Sequence, residues 1–194
     1  MGMIIVPEYI KGLIFDCDGT LVDSMPMHMK AWEHAITSAG APWHYDFIFS
    51  RKGMSSKGVV DLYNKELGTS LDIETVSKIK QSFFRQHHSG TKPIDAVVDV
   101  ARRYHGVLPM AVASGGSREN VNSQLEVIGI RNLFDVILTA DDDVEPKPSP
   151  QIFLEAAKRI GVSPELCQVF EDGDLGLEAA HRIGMLATDI RIFQ

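Results

Sequence analysis

The sequence predicts an α/β fold, a parallel sheet with a block of helices inserted after its first strand. Three observations carry that prediction. Short apolar, β-prone runs recur along the chain, helix-length segments separate the later ones, and the stretch from about residue 23 to residue 92 holds helical patterns with no strand among them. Strands that alternate with helices build βαβ units, and those build a parallel sheet.

In chain order, GLIFD (12–16) is the first strand. The insert follows. MPMHMKAWEHAITSAG (25–40) repeats apolar residues at helical spacing and stops at Gly40. SSKGVVDLYNKELG (55–68) and SLDIETVSKIKQSFFRQHHSG (70–90) are two further helices with polar faces. The strands PMAVAS (109–114), DVILT (135–139), LCQVFE (166–171) and MLATD (185–189) come next. Between them lie the helices SRENVNSQLEVIGI (117–130), SPQIFLEAAKRIG (149–161) and LGLEAAHRIG (175–184), each closing near a glycine suited to C-terminal capping. The expected division is a core of residues 1–22 and 93–194 and a helical domain of residues 23–92.

A chain of 194 residues that is 44% hydrophobic can bury a real core. Its net charge of -7 argues against nonspecific nucleic-acid or anionic-membrane partners, though not against an anionic substrate at a locally positive or metal-bearing site. No apolar run approaches the roughly 20 residues of a membrane span. The start MGMIIVPEYIKG lacks a basic region and carries Glu8, so no signal peptide is expected, and Val6 stands where a myristoylation signal has Ser or Thr. Two cysteines, Cys17 and Cys167, suit a reducing compartment and give no disulfide framework. A cytoplasmic monomer is expected.

Ligands of open α/β sheets bind beyond the carboxyl ends of the strands, and polar residues gather at those ends. Asp16 and Asp18 follow the first strand, and Ser114, Gly115, Gly116 and Ser117 the second. Lys147 comes after the third, and Glu171, Asp172, Gly173 and Asp174 after the fourth. Carboxylates at the end of a buried strand are costly without partners, and phosphoryl transfer is the chemistry that needs this set. In an extended chain Asp16 and Asp18 share one side while Cys17 points away. One carboxylate can attack phosphorus, and the other can serve as general acid and then as base. A cage of carboxylates suits Mg²⁺ better than zinc. Lys147 and the Ser114 hydroxyl can bind phosphate oxygens, and glycines beside Ser114 free backbone N–H groups to face an anion.

Singly these signals are weak. Asp caps helices and turns, Gly-Gly-Ser is common loop material, and a lysine between prolines is often plain surface. Rival chemistries fare worse. A cysteine phosphatase needs Arg six residues after its Cys, and that position after Cys17 is Asp23. His87 and His88 point about 100° apart on a helix, which suits a polar face better than a shared metal, and Asp141-Asp142-Asp143 lacks the spacing of a calcium loop.

Together the motifs resemble the haloacid dehalogenase (HAD) superfamily of phosphohydrolases. DCDGT (16–20) matches its DxDGT signature, and Ser114, Lys147 and FEDGDLG (170–176) match its later motifs in order and spacing. DSMPMHMKAW (23–32) and KGMSS (52–56) are similar to the opening helix and substrate loop of the helical cap in its β-phosphoglucomutase-like subgroup. PMAVASGGS, ADDDVEPKPSP and MLATDIR resemble the small bacterial fructose-1-phosphate phosphatases, also described as 6-phosphogluconate phosphatases.

The resemblance implies a Rossmann-like three-layer α/β core (HAD-like) with a helical cap after the first strand. It implies Asp16 as nucleophile and Asp18 as acid/base. Mg²⁺ would be held by the Asp16 carboxylate, the Asp18 backbone carbonyl and Asp172, with Glu171 either a ligand or one step behind. Thr20, Ser114, Gly115 and Lys147 would hold the phosphoryl group, and His28 and Lys52 would contact substrate from the cap. Two departures stand out. Ser56 and Lys57 occupy the place where many relatives carry Arg, which leaves a phosphate contact from the cap open, and PID (93–95) replaces a Pro-Gly pair. The implied activity is Mg²⁺-dependent hydrolysis of a small sugar phosphate through an aspartyl-phosphate. The alternatives are a sugar phosphomutase and a catalytically silent relative that binds a phosphorylated ligand or a partner protein.

Overall fold

Gly12–Phe15 (β1) is buried at every position, as a central strand of a parallel sheet must be when helices cover both faces. The structure is a computed structural model that describes residues 3–193. The Met-Gly start weighed for myristoylation and the last residue of the expected core, Gln194, lie outside the described residues. After β1 come β2 (Val22–Asp23), then α1 (Met25–Ser38), α2 (Tyr45–Phe49), α3 (Ser56–Leu67) and α4 (Ile73–His87). The chain continues through β3 (Lys92–Pro93), α5 (Asp95–Tyr104), β4 (Met110–Ala113), α6 (Arg118–Val127) and β5 (Val136–Leu138). It closes with α7 (Gln151–Arg159), β6 (Cys167–Glu171), α8 (Asp174–His181) and β7 (Leu186–Asp189).

The sheet runs β5-β4-β1-β6-β7, and every pairing in it is parallel. Alternation along the strands divides the core into two layers. Leu13, Phe15, Met110 and Val112 pack on one face with Val97 and Ala101 of α5 and Leu125 of α6. Ile14, Ala111, Ala113 and Val169 pack on the other with Phe153 of α7 and Ala180 of α8. Phe15 stacks on Phe170 at 4.6 Å between centroids. Burying one such side chain is worth about 1.5–3 kcal/mol, so these two layers fix the strand order and register. Cys17 is buried in the first layer, facing away from the site, and Cys167 is likewise free and buried.

Helices α1 to α4 bury a third cluster of their own, with Trp32, Ile36, Val60, Tyr63 and Val76. The Tyr63 hydroxyl donates to the Pro42 carbonyl inside it. Ser55 and Asp72 cap α3 and α4 by accepting from Gly58 N and Thr75 N, as their positions before helical patterns require. Both ends of the insert meet in a short antiparallel ribbon, where Val22 pairs Pro93 and Asp23 pairs Lys92. The expected boundaries at 22/23 and 92/93 run through that ribbon.

Helix α5 was not among the expected elements. Its Val97, Val98 and Val100 favour a strand locally, yet with Ala101 they form a buried helical stripe, and tertiary burial overrides propensity. Among the described residues no helix is long and apolar enough to cross a membrane.

Candidate active site

The β1 ladder continues one residue past the strand, where Asp16 N donates to Phe170 O at 3.0 Å. The chain then turns sharply. Leu21 N and Val22 N both donate to Cys17 O, and Gly19 N donates to Val22 O at 2.8 Å. Gly19 adopts φ 84°, and a Cβ there would collide with the Asp172 carboxylate. Only glycine allows the β1 and β6 ends to approach this closely.

Strand β6 delivers Glu171 and Asp172 beside Asp16, and all three are buried. Lys147, also buried, donates to Asp16 Oδ1 at 2.8 Å and to Glu171 Oε2 at 2.6 Å. The other Glu171 oxygen accepts from Asp172 N at 3.1 Å and Gly173 N at 2.9 Å, so both of its oxygens are engaged. Asp172 accepts from the Thr20 hydroxyl at 3.2 Å on one oxygen and from Lys52 Nζ at 2.9 Å on the other. Burial and the Glu171 charge push the Asp16 carboxyl well up, against the pull of Lys147. Burial also lifts Glu171. The two carboxylates in turn outweigh burial at Lys147 and raise it. Asp16, Glu171 and Asp172 each offer an oxygen, and these lie within 4.8 Å of one another. A buried set of hard oxygen donors, already drawing two ammonium groups, fits a hard divalent cation.

Asp18 heads a second chain of groups. Its Oδ1 accepts from the Ser24 hydroxyl at 2.7 Å and pairs with His28 Nε2 at 2.6 Å. His28 Nδ1 in turn receives Lys80 Nζ at 2.9 Å, and the His28 ring stacks on Phe84. Burial lowers His28, and the Lys80 charge lowers it further, so the imidazole is neutral and its Nε2–H donates to Asp18. Burial works against an ionised Asp18, but His28, Ser24 and Lys80 prevail and hold the carboxyl well below its usual range. Lys80 is pulled down to about 8 by burial.

A cavity of about 60 Å³ lies between the insert and the sheet edge. Asp16, Asp18, Ser114, Gly115, His28 and Lys52 line it, which brings together residues from β1, the β4–α6 loop and the insert. Thr20, Lys147, Glu171 and Asp172 stand behind that wall and reach it through Asp16 and Lys52. His28 borders the cavity with both ring nitrogens already taken within the protein. Gly115 touches the insert so closely that a Cβ would collide with the Gly53 carbonyl.

Lys80, Ser24 and Asn120 join these residues, and the sequence reading missed all three. For Lys80 a signal existed. It sits four residues after Val76 and four before Phe84, so it interrupts the buried stripe of α4 with a charge. The acids at 141–143 serve structure, since Asp141 and Asp142 both hold Arg118.

Comparison with known proteins follows the same lines. The model of the haloacid dehalogenase-like hydrolases matches residues 10–184. The chain is 34% identical to the fructose-1-phosphate phosphatase YqaB of Escherichia coli (strain K12), over 95% of this chain and 98% of that protein. It is 28% identical to the validoxylamine A 7'-phosphate phosphatase of Streptomyces hygroscopicus subsp. limoneus, over 93% and 85%. The crystal structure of a hydrolase from Pseudomonas syringae superposes with a TM-score of 0.84 at 26% identity, covering 91% of this chain and 83% of that one.

Proposed function

The chain belongs to the haloacid dehalogenase-like hydrolases and is a phosphoric monoester hydrolase, and from that premise we propose that it releases phosphate from a small sugar phosphate through an aspartyl-phosphate on Asp16. The observation that carries the reading is the pairing of two carboxylates with opposite surroundings at one strand end. Asp16 is gripped by Lys147, while Asp18 is tied to Ser24 and His28.

In the first half-reaction an Asp16 oxygen bonds to phosphorus as the bond to the sugar oxygen breaks. Asp18 hands a proton to that departing oxygen. The free protein holds Asp18 ionised, and the negative phosphoryl group bound beside it favours the protonated form. In the second half-reaction Asp18 takes the proton back from a water that attacks phosphorus, freeing inorganic phosphate and Asp16. The His28–Lys80 chain keeps Asp18 oriented throughout. Ser114 and Lys147 hold the phosphoryl oxygens, and Thr20 steadies Asp172.

Mg²⁺ would be held by the Asp16 and Asp172 carboxylates and the Asp18 backbone carbonyl, with Glu171 behind them because its oxygens already hold Lys147 and two backbone N–H groups. Once bound, it would screen the attacking carboxylate from the phosphoryl oxygens. The helical insert acts as a cap. It covers the cavity beside Asp16 and Asp18, where it would exclude water during phosphoryl transfer.

Phosphate release from fructose 1-phosphate and from p-nitrophenyl phosphate tests the reading. Turnover is expected with Mg²⁺, is lost in excess EDTA, and falls at least about 10³-fold in Asp16→Asn. A folded, Mg²⁺-loaded protein inactive on both compounds would refute it.

A further inference from the structure

We propose that Ser117 and Asn120, on the first turn of α6, form a hydroxyl-reading subsite that selects a neutral, polyhydroxylated leaving group. This rests on the phosphatase reading above. Ser117 is the N-cap of α6, yet its hydroxyl makes no capping bond. An N-cap serine ordinarily gives that oxygen to the backbone N–H two or three residues on. Here Oγ is buried without a partner. Asn120, three residues along and so on the same helix face, is 3% exposed, and its Oδ1 is also buried without a partner. Both residues line the cavity beside the two catalytic aspartates. One turn on, fully buried Gln124 leaves both amide atoms unpartnered and extends the same stripe.

Buried polar atoms in folded proteins are nearly all bonded, so two unpartnered ones at the wall of one cavity are accounted for by a ligand that brings the partners. Both atoms are shut from solvent in this structure, so the insert has to shift for substrate hydroxyls to meet them.

Charge narrows the ligand further. Each basic side chain around the cavity already has an internal partner. Lys52 holds Asp172, Lys80 holds His28, and Arg51 is taken by Glu66 at 2.7 Å and by the Phe47 carbonyl at 2.9 Å. Arg118, next to Ser117, turns away to Asp142. Ser56 borders the cavity where a cation could have stood, and Lys57 beside it pairs with Glu74. A second phosphate on the substrate would have to draw a cation away from these partners. The facing wall is apolar, with Met29, Trp32, Ile48 and Val59. A ring or chain with hydroxyls on one edge and C–H groups on the other fits between the two walls, as a sugar or sugar-alcohol monophosphate does.

The test is a ratio, kcat/KM for fructose 1-phosphate over kcat/KM for p-nitrophenyl phosphate, whose leaving group presents no sugar hydroxyls. Asn120→Leu and Ser117→Ala should each lower it about 10- to 100-fold, because a site built to bond hydroxyls loses discrimination when its polar atom is removed. The ratio is independent of the active fraction, and Ser117→Ala carries the test alone where Asn120→Leu does not fold. The wild type should also prefer fructose 1-phosphate over fructose 1,6-bisphosphate by at least about 10-fold. An unchanged ratio in both variants overturns the subsite even if both rates fall, and so does equal turnover of the bisphosphate. A wild type that releases phosphate from neither monophosphate removes the phosphatase reading itself, and the subsite with it.

Discussion

At the scale of single residues, the site divides its labour through environment. Asp16 and Asp18 are two residues apart in sequence, yet burial and Glu171 push one carboxyl up while His28, Ser24 and Lys80 hold the other down. Lys80 gives this a measurable signature. Its ammonium titrates at about 8, so it is charged at neutral pH and loses its proton as the pH rises through that value. The neutral amine no longer polarises His28, and the hold on Asp18 slackens. The kcat/KM profile for phosphate release is therefore expected to show an alkaline limb centred at about 8 that Lys80→Met lacks. A limb of the same midpoint in the variant would assign that titration to another group. The Asp pair, Ser114, Lys147 and Asp172 were legible in the sequence because each follows an apolar strand at the edge where such sheets bind ligands. Asn120 was not, because it lies within a helix and only packing decides which helix face looks onto the site, and Lys80 left only the trace of a charge set into the apolar stripe of α4.

At the scale of elements, the βα loops and the helical insert meet in a contact with no slack. Gly115 of the β4–α6 loop abuts the Gly53 carbonyl in the loop before α3, and a side chain there would enter that backbone. Gly115→Ala is expected to fold with stability within about 1 kcal/mol of wild type, since the site is on a loop away from the core. Its kcat/KM for fructose 1-phosphate should nonetheless drop at least about 10-fold, because the cap can no longer seat. Chemical denaturation and steady-state kinetics on one preparation separate the two effects, and a variant with wild-type kinetics would deny that this contact belongs to closure. The alternation of strands and helices was readable from GLIFD onward. Helix α5 was hidden because its valines signal a strand in isolation, and only the face they bury against Leu13 and Phe15 makes them helical.

At the scale of the whole molecule, the chain builds two cores and one seam. The sheet layers bury residues from both ends of the sequence, the insert buries its own cluster, and the β2–β3 ribbon ties them together. A chain of net charge -7 thus gathers Lys52, Lys80 and Lys147 at one edge, where an anionic substrate binds against the overall field. A seam is an expectation readable from the sequence, because no strand pattern interrupts residues 23–92. Which side chains cross it was not, since Lys52 to Asp172 and His28 to Asp18 span stretches that sequence spacing does not relate. The central claim is that Asp16 carries the phosphoryl group, and chemical trapping tests it most directly. Turnover of fructose 1-phosphate with Mg²⁺ is quenched within milliseconds and the protein is reduced with borohydride, which converts an aspartyl-phosphate to homoserine. Peptide mass spectrometry is expected to find homoserine at position 16 and nowhere else. Sustained turnover with Asp16 unmodified, or with the label on another residue, would contradict the account.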